Sequence, residues 1–418
     1  MKGCDVIVVG AGPAGATLAT VLRRDGIAVT LVDGGGPLPA LEGYSVRTVE
    51  RLRAAGLSCA EAVLSSALPR AGSWAGRPVS GFEHLADRAA VHRALRRDAL
   101  AAGVSVISAR WTPALTESAL RNGSRLVIDA RGRHGPAERG PVLLSICATA
   151  ASSREAIGTS VGMWSEGWYW LVDDGERAQI QLVGLSRGRH PTRWVTALLA
   201  ERPELTSRLR HLKTPWLARP AYARLAKLAD PLLAVGDAAL AVDPLSGHGA
   251  YEALRGADLH ACAVRTLLAG GDPTLIRGYL TDRRHETWSR TLSAAADIYA
   301  EPAALSPFWQ ECAHAYRQLA QDAPRPRVTQ SSITSRPVLE NGYIRERPVV
   351  VTPSVPRGAW RVAGIPLVEL YDFLRSRPET QTALSDAACR FGHPLTAVRT
   401  AAQWLNASGM SMSGSAAS

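Results

Sequence analysis

Two apolar segments that each run into a glycine-rich turn, more than two hundred residues apart, constrain this chain more than any other feature. The first is Asp5-Val6-Ile7-Val8-Val9-Gly10-Ala11-Gly12-Pro13-Ala14-Gly15. Val6 to Val9 form the short, continuously apolar run of a strand buried on both faces of a parallel sheet. Gly10 permits a tight turn, Gly12 lets the backbone approach a pyrophosphate, and Gly15 lets the next helix pack against the strand. A helix is predicted over Ala14 to Asp25, with its partially positive N-terminus aimed at the phosphates. Ile27 to Val32 reads as the following strand. Asp33 closes it, roughly 20 residues beyond the glycines, where a carboxylate accepts from ribose hydroxyls. A glycine turn alone is also an ordinary feature of α/β proteins; strand, turn, helix and acid in this order predict a dinucleotide site.

The second segment is Leu233-Ala234-Val235-Gly236-Asp237, followed by Asp243-Pro244-Leu245-Ser246-Gly247-His248-Gly249. It is expected to be another strand ending in a glycine loop, leading into a helix over Ala250 to Leu268. Asp237 could accept from ribityl hydroxyls, and amides at that helix start would stabilise negative charge on a reduced flavin ring. One long dinucleotide needs two strand ends, so the pair points to FAD and to redox or oxygen chemistry.

Further motifs stand between them in order: Gly72-Ser73-Trp74-Ala75-Gly76, Asp87-Arg88 opening a helix towards Gly103, Leu126-Val127-Ile128-Asp129-Ala130-Arg131-Gly132-Arg133, and Gly167-Trp168-Tyr169-Trp170. With the two glycine motifs they resemble the flavoprotein monooxygenase and tryptophan-halogenase superfamily, which has the aromatic-hydroxylase fold. The likeness covers about residues 3 to 290. It implies a Rossmann-type α/β FAD-binding domain with an inserted antiparallel β-sheet substrate domain, and a cofactor contact at Arg88. A narrower likeness, resting on the 243–249 loop, the chain length and an added C-terminal domain, is to the flavoproteins that hydroxylate tryptophan during tryptophylquinone biogenesis in quinohemoprotein amine dehydrogenase. That likeness implies a polypeptide substrate that carries the target tryptophan, and this partner is expected to be acidic or flexible.

Departures from the superfamily pattern narrow the chemistry. Halogenases depend on a lysine that carries activated chlorine, yet the chain's lysines are Lys2, Lys213 and Lys227; the other 45 of its 48 basic residues are arginines. Leu171-Val172 also replaces the Ile-Pro of halogenases. Halogenation is disfavoured, whereas flavin-activated oxygen needs no such lysine. The competing functions are hydroxylation of a small aromatic metabolite, FAD-dependent reduction of isoprenoid double bonds, and a flavin-bearing regulator that reads DNA.

The cofactor-binding set is therefore Gly10, Gly12, Pro13, Ala14, Gly15, Asp33, Arg47, Arg88, Gly236, Asp237, Pro244, Gly247, His248 and Gly249. His248 is also the candidate catalytic residue, for proton transfer beside the flavin; the competing reading is a histidine that merely fills a loop. Trp168 and Trp170 share one strand face. They either wall the substrate cavity or serve as plain core aromatics. Electrons would come from an external reductant, NAD(P)H bound transiently or a separate reductase.

At 418 residues the chain is long enough for more than one domain. Its 46% hydrophobic and 20% charged content describe an ordinary soluble enzyme. The net charge of +11 suits an acidic partner better than nucleic acid, since no aromatics interleave with the basic stretches. Six scattered cysteines without a C-x-x-C pair read as free thiols in a reducing cytoplasm, and no residue spacing suggests a metal. No apolar run spans a membrane, and a cofactor strand at residue 5 leaves no room for a secretory leader.

Residues 1–66, 87–135 and 225–300 are assigned to the FAD-binding domain, and 67–86 with 136–224 to the substrate domain. Its strands are expected at Pro141 to Ala148, Thr159 to Ser165, Trp168 to Asp173 and Ala178 to Leu185. Residues 301–336 read as a helical connection, and 337–410 as a small winged-helix-like α/β domain. The latter would comprise a hairpin turning at Asn341-Gly342 and helices over Leu367 to Ser376, Thr380 to Phe391 and Leu395 to Ser408.

Overall fold

The computed structural model describes residues 4–36, 40–152, 157–185, 191–209, 213, 216–324, 328–377 and 382–410. The chain divides into two compact units, one of Met1–Ala261 with Arg284–Ala323, the other of Cys262–Arg283 with Pro324–Ser418.

In the first unit, four parallel strands lie in the order Ser105–Ser108, Val29–Asp33, Val6–Val9, Leu126–Asp129. All four residues of Val6–Val9 are buried, as expected of a central strand covered on both faces. The strand expected at Leu233 to Val235 is not one. Pro231 to Leu233 form a single 3-10 turn, and the parallel sheet is joined only by an isolated bridge between Asp129 and Ala234. Proline has no amide to give to a ladder, and the Asp230 carboxylate takes the Leu232 amide instead.

The second sheet of this unit has eight strands, ordered Trp216–Ala221, Leu143–Ala151, Arg177–Leu185, Gly167–Asp173, Gly158–Trp164, Leu68–Trp74, Arg77–Asp87, Leu41–Ser45. Strand ends fall within about three residues of those expected. The sheet is antiparallel except where Gly158–Trp164 runs parallel to Leu68–Trp74. Leu41–Ser45, placed by sequence in the cofactor-binding part, forms the edge of this sheet; buried Gln179 holds it by bonding both the amide and the carbonyl of Leu41. A three-stranded sheet of Leu240–Ala241, Arg224–Ala226 and Ala137–Arg139 completes the unit.

The helix expected within 301–336 is present, but it is part of the first unit's core rather than a mere connection. Helix Pro307–Asp322 buries Phe308, Trp309, Cys312, Ala313, Tyr316 and Ala320 in the same core as Trp74, Trp168 and Tyr299. Those positions recur at the three- and four-residue spacing of a helix face, so the apolar stripe is the reason. Ser332 to Arg336, read as part of the same connection, belong to a strand.

In the second unit, Ser332–Glu340 pairs with Tyr343–Val351 through Asn341 and Gly342, whose φ of 49° and 79° suit a two-residue hairpin turn. A second, tiny hairpin joins Arg361–Val362 to Ile365–Pro366, and helices Leu367–Arg375, Ala383–Phe391 and Leu395–Ala407 follow. Val350, Ile365, Leu370, Val398 and Leu405 form their shared core. Among the described residues no helix is long and apolar enough to cross a membrane.

Helix Arg88–Ala101 carries Arg88 on its first turn, fixed by Asp87, which accepts from the amides of Ala89 at 2.9 Å and Ala90 at 3.1 Å. Asp87→Ala is expected to cost about 1 kcal/mol, seen as a lower urea midpoint with an unchanged slope.

Candidate active site

Gly10 has φ of 113°, and a side chain there would meet the Ala130 carbonyl oxygen at 2.5 Å. A Cβ on Gly15 would stand 1.9 Å from the Gly10 oxygen, so helix Pro13–Arg24 sits flush against the turn. No side chain caps that helix, and a Cβ on Gly12 would meet nothing within 4 Å. First-turn amides beside open space are what an anion requires. Gly236 closes the cradle from the distant segment. Its φ is 61°, and a Cβ there would lie 2.5 Å from the Ala14 methyl. The Val235 amide also donates to the Asp129 oxygen at 2.9 Å. The two glycine motifs and the Asp129-Ala130 strand end thus meet at one place. Side chains at Gly247 and Gly249 would likewise meet nothing, which leaves room above that loop.

The charged candidates hold partners of their own. Asp33 is buried, accepts from the Gly35 amide at 3.1 Å and faces Arg96 at 3.2 Å and His92 at 3.5 Å. Asp237 is paired with Arg133 at 3.0 Å, and Arg88 with Glu42 at 2.7 Å. Arg47 lies with Arg51 over the Tyr251 ring, at 5.2 and 4.9 Å.

Arg88 also lines a cavity of about 220 Å³, together with Arg70, Trp168, Trp170, Asp243 and Leu245. Trp168 and Trp170 both reach it, as their alternation on one strand predicts. Trp168 is buried and donates its indole N–H to the Tyr299 hydroxyl at 3.3 Å, while Trp170 donates to Glu83 at 3.3 Å. Trp168 also belongs to the hydrophobic core, so wall and core are one role for it.

His248 stands differently from its neighbours. Gly247 and Gly249 line the cavity, whereas the exposed His248 does not; its ring meets Tyr251 edge-on at 6.4 Å. Partial desolvation lowers its pKa, Arg47, Arg290 and Arg70 add to this, and Glu252 opposes them. The imidazole is therefore neutral at neutral pH.

Sequence reasoning missed one group in the cavity's lining. Asp243 is buried, and its carboxylate accepts from the hydroxyls of Tyr316 and of Tyr299 (3.4 Å) and from the Leu245 amide at 2.9 Å. Burial pushes its pKa up to about 6, against those hydrogen bonds and the charge of Arg133. Burial and the carboxylate raise both phenols well above their ordinary range. A lone acid between an apolar run and a proline marked Asp243, and the helical stripe marked Tyr316, but neither signal joins them. Among the described residues no cluster of three His, Cys, Asp or Glu could hold a metal.

Residues 3–120 match the family model described as FAD binding domain. With that FAD-binding segment the chain resembles FAD-dependent monooxygenases and halogenases. FAD is its cofactor, and the open cradle built around Gly12 and Gly236 fits that group. This flavoenzyme is similar to the peptidyl tryptophan dihydroxylase QhpG, essential for tryptophylquinone cofactor biogenesis, at 28% identity over 98% of this chain and 100% of that one, with a TM-score of 0.74. The flavin-dependent halogenase CmlS shares the fold at 15% identity, 97% and 95% coverage and a TM-score of 0.69. The myxobacterial chondrochloren halogenase CndH does so at 17% identity, 77% and 91% coverage and a TM-score of 0.61. None of the curated proteins compared with the flavoenzyme matches it.

Proposed function

We propose that the flavoenzyme hydroxylates a tryptophan side chain carried by a partner polypeptide, as a step of tryptophylquinone biogenesis. The single observation that carries this reading is the similarity to QhpG along nearly the whole chain. The scarcity of lysine, with none between Lys2 and Lys213, supports it over halogenation.

In this reading Gly10, Gly12, Pro13, Ala14 and Gly15 hold the FAD pyrophosphate, with Arg47 and Arg88 nearby. Asp33 takes the ribose, Gly236 and Asp237 the ribityl chain, and Pro244, Gly247, His248 and Gly249 the ring. FAD, once reduced by NAD(P)H or a reductase, supplies electrophilic oxygen from O2. The chain's own residues supply position and dryness. Trp168 and Trp170 offer flat faces against which an indole stacks, with Leu245 as an apolar wall. Arg70 borders the same cavity, with Glu83 no nearer than 4.0 Å, and would attract an acidic residue flanking the target tryptophan.

Mass spectrometry tests the reading on a single-tryptophan peptide with acidic flanks, incubated with FAD-loaded enzyme, reductant and oxygen. The expected result is added oxygen on the tryptophan residue. A chlorine isotope pattern in the presence of chloride, or an unmodified peptide beside an oxidised small phenol, would overturn it.

A further inference from the structure

The acids in and beside the cavity differ in what holds them. Glu42 is tied to Arg88 at 2.7 Å and also accepts from Tyr44. Glu83 does not line the cavity and faces Arg70 at 4.0 Å. Asp243 lines the cavity and forms no ion pair with any described residue; its partners are two phenols and one backbone amide, all neutral donors. A carboxylate clamped by a guanidinium is a weak base; the hydrogen bonds to Asp243 also favour its ionised form, but with no paired cation beside it burial outweighs them and keeps its affinity for a proton.

We propose that Asp243 is the base that removes the ring proton from the substrate after oxygen has been added. The proposal rests on the hydroxylation reading above and adds to it the residue that finishes the reaction. Oxygen attaches to a ring carbon that still bears hydrogen. Breaking that C–H bond returns its electron pair to the ring, and the proton passes to a carboxylate oxygen of Asp243. The second oxygen atom leaves as water, balanced by two electrons from the external reductant. Tyr316 and Tyr299 are positioning residues. Their rings stack at 5.4 Å, and Tyr299 also receives the Trp168 indole N–H, so the base and one cavity wall are held by the same hydroxyl.

Burial places the Asp243 carboxyl at about 6, so it is ionised at neutral pH and becomes protonated as pH falls through that value. The groups facing it are Tyr299, Tyr316, Cys312 and Arg133; the two phenols and the Cys312 thiol stay protonated there, because burial raises all three. Activity is therefore expected to fall on the acid side near pH 6.

The experiment measures product formation from the same single-tryptophan peptide, ring-protonated and ring-deuterated, across pH, with FAD content checked for each protein. Asp243→Asn is expected to keep FAD and KM, to lower kcat on the order of 10²-fold or more, to lose the acid limb, and to gain an isotope effect absent from wild type. Tyr316→Phe removes a donor that favours the ionised carboxylate, so its acid limb should move to higher pH. Should Asp243→Asn keep the acid limb and show no isotope effect, or Tyr316→Phe leave the limb in place, Asp243 is not the base. Should wild type itself leave the peptide unchanged, the hydroxylation reading falls and takes the proposal with it.

Discussion

Gly15→Val is expected to yield a colourless protein. The glycine's missing side chain is what allows helix Pro13–Arg24 to meet the turn, since a Cβ there would stand 1.9 Å from the Gly10 oxygen and 2.9 Å from the Ala130 methyl. Two of the three nearest obstructions are backbone atoms of Gly10, so no rotamer change relieves them. The helix start must withdraw, and its first-turn amides lose their aim at the diphosphate. FAD affinity should fall at least ~100-fold, about 2.8 kcal/mol, measured by flavin absorbance per chain and by titration. Gly12→Ala separates aim from fit. Its added methyl meets no protein atom within 4 Å, so thermal stability should be kept while FAD is lost. An unchanged flavin content in Gly12→Ala would move the diphosphate away from this turn.

The second large effect is on stability. Trp309 is fully buried, donates its indole N–H to the Trp164 carbonyl at 3.0 Å, and meets Phe308, Trp74 and Tyr299 with ring centroids 4.8, 5.5 and 5.7 Å away. Trp309→Ala opens a cavity in this cluster and leaves a buried carbonyl without its donor. The expected cost is about 3–5 kcal/mol, seen as a lower urea midpoint. Loss of less than about 1 kcal/mol would mean that the cluster refills the space. Because Tyr299 is one of the displaced neighbours, the Trp168 wall should loosen with it.

How much of this was legible in the chain depended on whether the signal was local. Val6 to Val9 form a continuous apolar run, and Trp168 and Trp170 alternate with Tyr169, so their strands and faces follow from side-chain period alone. Asn341-Gly342 marked its turn by the left-handed backbone it tolerates. Leu41–Ser45 carried no such signal, because its place depends on pairing with Arg77–Asp87 and on Gln179, 138 residues away. Leu233 misled for the opposite reason: an apolar run looked like a strand, yet Pro231 and Asp230 had already taken it out of the ladder. The turns at Gly10, Gly236 and Gly247 could be read because each needs a positive φ of its own. Asp243 could not be assigned a task, because the phenols that hold it arrive from positions 56 and 73 residues later.

The contact between Gly236 and Ala14 also sets a clock on biosynthesis. At a ribosomal pace of 5–20 residues per second, roughly 10 to 45 seconds separate the emergence of the two halves of the cradle. During that interval the N-terminal turn is exposed without the segment that completes it. Flavin capture thus waits until the segment around Gly236 has emerged.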